Sequence, residues 1–104
     1  MEHNGIHVPA EKIAKFCGKW SIKELALFGS ALRDDFGPQS DVDVLVTFKP
    51  EAKHTLFHLV RMQAELSVIF GREVDIVSRR GIEASRNYLR KNEILTTARA
   101  IYVA

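Results

Sequence analysis

The apolar positions of this chain switch between helical and strand spacing several times, which divides it into short elements. Pro9, whose fixed φ suits a first helical turn, opens a stretch with Ile13, Phe16 and Cys17 on one face, ending at Gly18. Trp20 to Phe28 closes in an apolar run that suits a strand, stopped at Gly29-Ser30. Ala31-Leu32-Arg33 suits a short helical turn, and Phe36-Gly37-Pro38 breaks it. Val42 to Phe48 is β-branched and predicts a second strand. From His54 to Phe70, Leu59, Met62, Leu66, Ile69 and Phe70 form a helical stripe that Gly71 stops. Glu73 to Val77 alternates charged and apolar residues as a third strand, after which Ser78-Arg79-Arg80-Gly81 turns the chain away. Asn87 to Tyr102 carries Leu95, Ala98 and Tyr102 at helical spacing and predicts a closing helix. The expected order is αβ(turn)βαβα. The strand–helix–strand unit from Val42 to Val77 calls for a crossover, so a mixed sheet covered by helices, an α/β (α+β) fold, is expected.

With 104 residues and neither a repeat nor a linker, one domain over 1–104 is expected, too small to grip a large second substrate unaided. No apolar run reaches membrane-spanning length and Met1-Glu2-His3-Asn4-Gly5 has no signal-peptide character, so a cytoplasmic protein without a membrane partner is expected. The single cysteine, Cys17, excludes an internal disulfide and a Cys-rich zinc site. Net charge is +2, but residues 1–52 carry −2 and residues 53–104 carry +4, compatible with an acidic site in one half and a basic docking surface in the other. The basic residues Arg72, Arg79, Arg80, Arg86, Arg90 and Lys91 do not form the aromatic-interleaved stripe of a nucleic-acid binder, so nucleic acid is disfavoured as a partner.

The chemistry concentrates in Ser40-Asp41-Val42-Asp43-Val44-Leu45-Val46. Aspartate disfavours strands, yet two open this one. Residues i and i+2 share a strand face roughly 6.6 Å apart, so Asp41 and Asp43 project together while Val42, Val44 and Val46 face the other way. Two such carboxylates suit hard cations such as Mg²⁺, though a solvated strand entrance would also explain them. Asp75, set between Val74 and Ile76, supplies a third carboxylate if its strand lies about 4.8 Å from the first; an outward pairing with Arg72 or Arg79 is the simpler alternative. Upstream, Gly29-Ser30 lets backbone N–H groups approach an oxyanion, although such a pair is by default just a turn. Together the parts meet the needs of nucleotidyl transfer from a triphosphate. His54 and His58 read as an exposed polar face, Trp20, Phe16, Phe57 and Phe70 as core, and Tyr88 and Tyr102 as packing residues. Apolar residues near the C-terminus could serve a homo-oligomer or partner interface, but a packed helix accounts for them without one.

Leu27-Phe28-Gly29-Ser30-Ala31-Leu32-Arg33 followed by Ser40-Asp41-Val42-Asp43-Val44-Leu45-Val46 resembles the minimal nucleotidyltransferase family of the polymerase-β superfamily, with Asp75 as the third acid. The resemblance implies a small polymerase-β-like nucleotidyltransferase core. It implies that Gly29, Ser30, Arg33 and Ser40 bind nucleotide and that Asp41, Asp43 and Asp75 bind two Mg²⁺ ions, Asp75 also helping to deprotonate the attacking hydroxyl. It further implies an antitoxin that transfers AMP from ATP to a tyrosine of a HEPN-domain toxin. Many relatives place glycine directly after the arginine, whereas this chain has Asp34-Asp35 before Phe36-Gly37. Two other functions fit the residues: a non-catalytic antitoxin that neutralises its partner by occlusion, docking through the basic half, and nucleotidylation of a small molecule, for which an acceptor domain is missing.

Overall fold

The computed structural model describes residues 2–3, 5–32, 37 and 40–104. Two short strands, β1 (Glu2–His3) and β2 (Ile6–His7), pair antiparallel and lead into helix α1 (Ala10–Lys19). Strand β3 (Ile22–Phe28) follows, then a 3₁₀ turn (Gly29–Leu32), strand β4 (Val42–Phe48), helix α2 (Leu56–Phe70) and strand β5 (Val74–Ser78). Helices α3 (Arg79–Glu83) and α4 (Tyr88–Thr97) and strand β6 (Arg99–Val103) complete the chain. The last four strands form a mixed sheet in the order β5-β4-β3-β6; β4 and β5 run parallel, and β3 is antiparallel to both its neighbours.

The sheet is buried on both faces, which is why β3 and β4 read as near-continuous apolar runs. On one face Leu25, Leu27, Val42, Val44, Val46 and Val74 pack with Ile13, Phe16 and Cys17 of α1 and Met62 and Leu66 of α2. On the other, Ala26, Phe28 and Leu45 form a smaller cluster with Ile82 of α3 and Ile94 of α4. Cys17 is fully buried, and burial pushes its thiol from the ordinary 9.0 up to about 12. Gly71 ends α2 in the left-handed region at φ 70°. The edge strand β5 is tied to α2 by the Gln63 side-chain carbonyl, which accepts the Ile76 N–H at 3.1 Å. Among the described residues no helix is long and apolar enough to cross a membrane.

Four expectations are corrected. The closing helix stops at Thr97: Ala98 turns extended (φ −56°, ψ 138°), and Arg99–Val103 becomes β6 along the open edge of β3. That edge would otherwise leave a row of backbone donors and acceptors unmatched, and satisfying it outweighs the helical spacing of Tyr102. Ser78-Arg79-Arg80-Gly81, expected as a turn, instead opens α3 (Arg79–Glu83), capped by the Ser78 hydroxyl accepting the Gly81 N–H at 3.1 Å. Phe57 and Tyr88, expected inside, are 83% and 74% exposed, because each lies on the outward side of its helix. His54 and His58 do not share an exposed helical face: α2 begins only at Leu56, and both rings pack in an aromatic group with Trp20.

Candidate active site

The carboxylates lie at the end of the sheet where β3 finishes and β4 and β5 begin. The parallel register sets Asp43 directly beside Asp75, and the antiparallel register sets Phe28 on the other side of Asp43. Asp43 therefore continues the sheet face that carries Phe28 and Leu45, one step beyond where its apolar cover ends. Asp43 is half-buried, and Asp41 and Asp75 are exposed. Asp41 precedes the first residue of β4, and the chain is held there by the Val42 N–H donating to the Glu73 carbonyl at 2.9 Å. Arg79, one alternative partner for Asp75, instead approaches Glu24 at 3.6 Å and Glu83 at 3.8 Å.

Gly29 meets Asp43 directly. Its φ of +64° is one an L side chain rarely adopts, and a Cβ there would stand 2.6 Å from Asp43 Oδ2. The missing side chain leaves room for the carboxylate against the backbone of the turn. Fully buried Ala31 anchors that turn in the main core, and Ser30 lies between them. Ser40 closes the loop before Asp41: its hydroxyl accepts the Gly37 N–H at 3.1 Å and its own N–H donates to the Gly37 carbonyl at 3.0 Å. Arg72 Nη1 donates to the Ser40 carbonyl at 3.4 Å, a contribution the sequence signals only by placing an arginine just ahead of Asp75's strand. Arg33 lies outside the described residues, as do Asp34, Asp35 and Phe36.

Asp43 and Asp75 on adjacent strands, with Asp41 just ahead of β4, are hard oxygen donors of the type Mg²⁺ takes. Among the described residues no three His, Cys, Asp or Glu side chains are gathered closely enough to hold a metal ion. Asp43 and Asp75 are register neighbours across β4 and β5, and Asp41 precedes the first residue of β4. Like charges resist closer approach, and a divalent cation is what would draw such a set together.

A nucleotidyltransferase domain model matches residues 10–101, nearly the whole chain. The chain belongs to the nucleotidyltransferase domain family. A Methanocaldococcus jannaschii protein named, by inference, a protein adenylyltransferase is 37% identical over 87 residues, covering 84% of this chain and 87% of that protein. A solved structure described as a minimal nucleotidyltransferase, by inference, is 30% identical with a TM-score of 0.64, over 90% of this chain and 88% of the other. A crystal structure of a toxin–antitoxin with AMP-PNP has the same fold, with a TM-score of 0.69 at 17% identity, over 93% of this chain and 75% of the other. Membership of the nucleotidyltransferase family agrees with the resemblance read from the Gly-Ser and Asp-x-Asp motifs, and the mixed sheet with helices agrees with the expected fold class.

Proposed function

We propose that this nucleotidyltransferase is an antitoxin that transfers AMP from ATP to a tyrosine hydroxyl of a HEPN-domain toxin. The observation that carries the reading is the placement of Asp43 between Asp75 and the side-chain-free Gly29 at one sheet end. Further support comes from the relative named as a protein adenylyltransferase and from the shared fold of the toxin–antitoxin crystallised with AMP-PNP.

In this reading the turn at Gly29 and Ser30, with Arg33 and Ser40, orients the triphosphate, backbone N–H groups meeting its oxygens. Asp41, Asp43 and Asp75 would hold two Mg²⁺ ions, which when bound neutralise charge on the triphosphate and favour the ionised acceptor. Asp75, exposed beside Asp43, accepts the proton of the attacking hydroxyl. The acceptor oxygen forms a bond to the α-phosphorus, the bond from that phosphorus to the bridging oxygen breaks, and pyrophosphate leaves with the electron pair.

The test is transfer of label from ATP carrying radioactive α-phosphate to the co-purified toxin in the presence of Mg²⁺. Asp41→Asn is expected to lower transfer by about a hundredfold or more. Full transfer by that variant would overturn the assignment.

A second reading, neutralisation by occlusion alone, is favoured by the start of α4, where Tyr88 and Leu89 are exposed between Arg90 and Arg86, the latter exposed just ahead of the helix. It predicts that Asp41→Asn still neutralises the toxin while Arg86→Glu with Arg90→Glu does not. The transferase reading predicts the reverse dependence on Asp41.

A further inference from the structure

Asp41 is held differently from the other two acids. Asp43 and Asp75 lie within paired strands, whereas Asp41 is exposed and comes before the first register pair of β4 with β5, Val42 beside Val74. The direction in which its side chain leaves the backbone depends on the two peptide planes flanking its Cα, because each plane is rigid and the chain turns only at the Cα between them. The dipeptide Arg72-Glu73 holds both planes. The plane before Asp41 carries the Ser40 carbonyl, which accepts from Arg72 Nη1 at 3.4 Å. The plane after it carries the Val42 N–H, which donates to the Glu73 carbonyl at 2.9 Å.

That dipeptide is itself anchored at both ends. Gly71 closes α2 at φ 70°, and the Gly71 and Arg72 N–H groups both donate to the Ser67 carbonyl, at 2.9 and 3.2 Å. On the other side, Val74 is buried in the main core. The half-buried Arg72 side chain therefore reaches Ser40 from a backbone with little freedom. Ser40 is equally fixed, since its hydroxyl and N–H meet Gly37 while its carbonyl meets Arg72. A bond from a guanidinium is charge-assisted and roughly twice as strong as a neutral one. Asp75 follows three residues after Arg72, so one segment of chain both holds Asp41 and supplies the acid beside Asp43.

We propose that Arg72 is a positioning residue for Asp41, fixing the peptide before it so that its carboxylate is oriented with Asp43 and Asp75 before any cation binds. The catalytic consequence rests on the proposed transferase reading; the ordering of the Ser40–Asp41 peptide does not. Arg72 acts through Asp41 and contacts neither nucleotide nor acceptor. A displacement of about 1 Å at a reacting centre can cost about a hundredfold in rate, and the effect here is smaller because Glu73 keeps its hold on the second plane.

The test compares two variants of the whole chain. Arg72→Met keeps the apolar stem and removes every donor, whereas Arg72→Lys keeps a charged one. The first measurement is backbone order by NMR relaxation in EDTA without nucleotide. In Arg72→Met the Asp41 N–H order parameter is expected to fall from about 0.85 to about 0.6, while that of Val42, still bonded to Glu73, keeps its wild-type value. Arg72→Lys is expected to recover most of the order. The second measurement is label transfer with Mg²⁺ and ATP, where Arg72→Met is expected to lower kcat about tenfold with KM for ATP changed about twofold or less, and Arg72→Lys to restore most of kcat. An Asp41 N–H as ordered in Arg72→Met as in the wild type would overturn the proposal. So would a kcat kept while KM rises, the signature of a group bound to the phosphates, or an equal loss of order throughout β4 and β5, the signature of a loosened fold. Should Arg72→Met not fold, Arg72→Gln, with only a weak neutral donor, is read in the same way. Absence of transfer by the wild type would remove the transferase reading and leave the order of Asp41 to decide the role of Arg72.

Discussion

A methyl group at Gly29 would meet Asp43 Oδ2 at 2.6 Å on a backbone already at φ +64°, so two separate penalties fall on one substitution. Gly29→Ala is expected to cost about 1–2 kcal/mol from the backbone alone. By displacing Asp43 it is also expected to lower label transfer about tenfold or more, while thermal unfolding and the transfer assay separate the two effects. Cys17 is the other residue whose environment sets its chemistry. With its thiol pushed up to about 12 by burial, it stays neutral and shielded, and iodoacetamide at about pH 8 is expected to label the native chain far more slowly than the urea-unfolded chain. Because the folded value lies above the unfolded one, the stabilisation linked to Cys17 is complete below pH 9.0 and is lost as pH rises toward 12. A pH series of urea midpoints comparing the wild type with Cys17→Ala checks the sign: the wild type should lose stability faster across that window.

At the scale of elements, the strands and helices that pack on the main core follow their own apolar spacing closely. Val42–Phe48 is a strand over the expected range, and the stripe of α2 buries Met62 and Leu66 as its periodicity requires. The C-terminal part does not follow local pattern, since α4 and β6 share a segment whose spacing alone favours one helix. Ile94 pins α4 over Leu45 and Phe28, and its burial in a small cluster makes it the element's main anchor. Ile94→Ala is expected to cost about 2–3 kcal/mol in urea unfolding, more than any exposed substitution on α4 such as Leu89→Ala. The same cluster holds Phe28, the register partner of Asp43, so the loss should also reduce label transfer.

At the scale of the whole molecule, the proposed function makes the carboxylate end a place where stability would depend on ligands. Asp43 and Asp75 are set side by side by the parallel register, and like charges across neighbouring strands cost a few tenths to about 1 kcal/mol. Asp43→Asn is therefore expected to raise the Tm of the metal-free protein slightly. Mg²⁺ with ATP is expected to raise the Tm of the wild type and not that of Asp43→Asn, by the linkage between binding and folding. Equal shifts in both proteins, measured by differential scanning calorimetry, would mean that Asp43 takes no part in holding the nucleotide.

The chain's local chemistry alone determined the glycine turn, the Asp-x-Asp strand, the stop at Gly71 and the apolar stripes, because φ preference and side-chain period act between near neighbours. From these the fold class was legible, and so was the pair of acids that opens an apolar strand at Asp41 and Asp43. Local pattern could not determine which strands become neighbours. Asp75 reaches Asp43 only through the β4–β5 register, and Arg99–Val103 becomes a strand only because β3 has an open edge to fill. The aromatic group that His54 and His58 form with Trp20 likewise joins segments far apart in sequence. Such contacts are long-range, and their energies belong to the packed sheet: a residue's spacing sets which face it can offer, and the tertiary structure decides what that face meets.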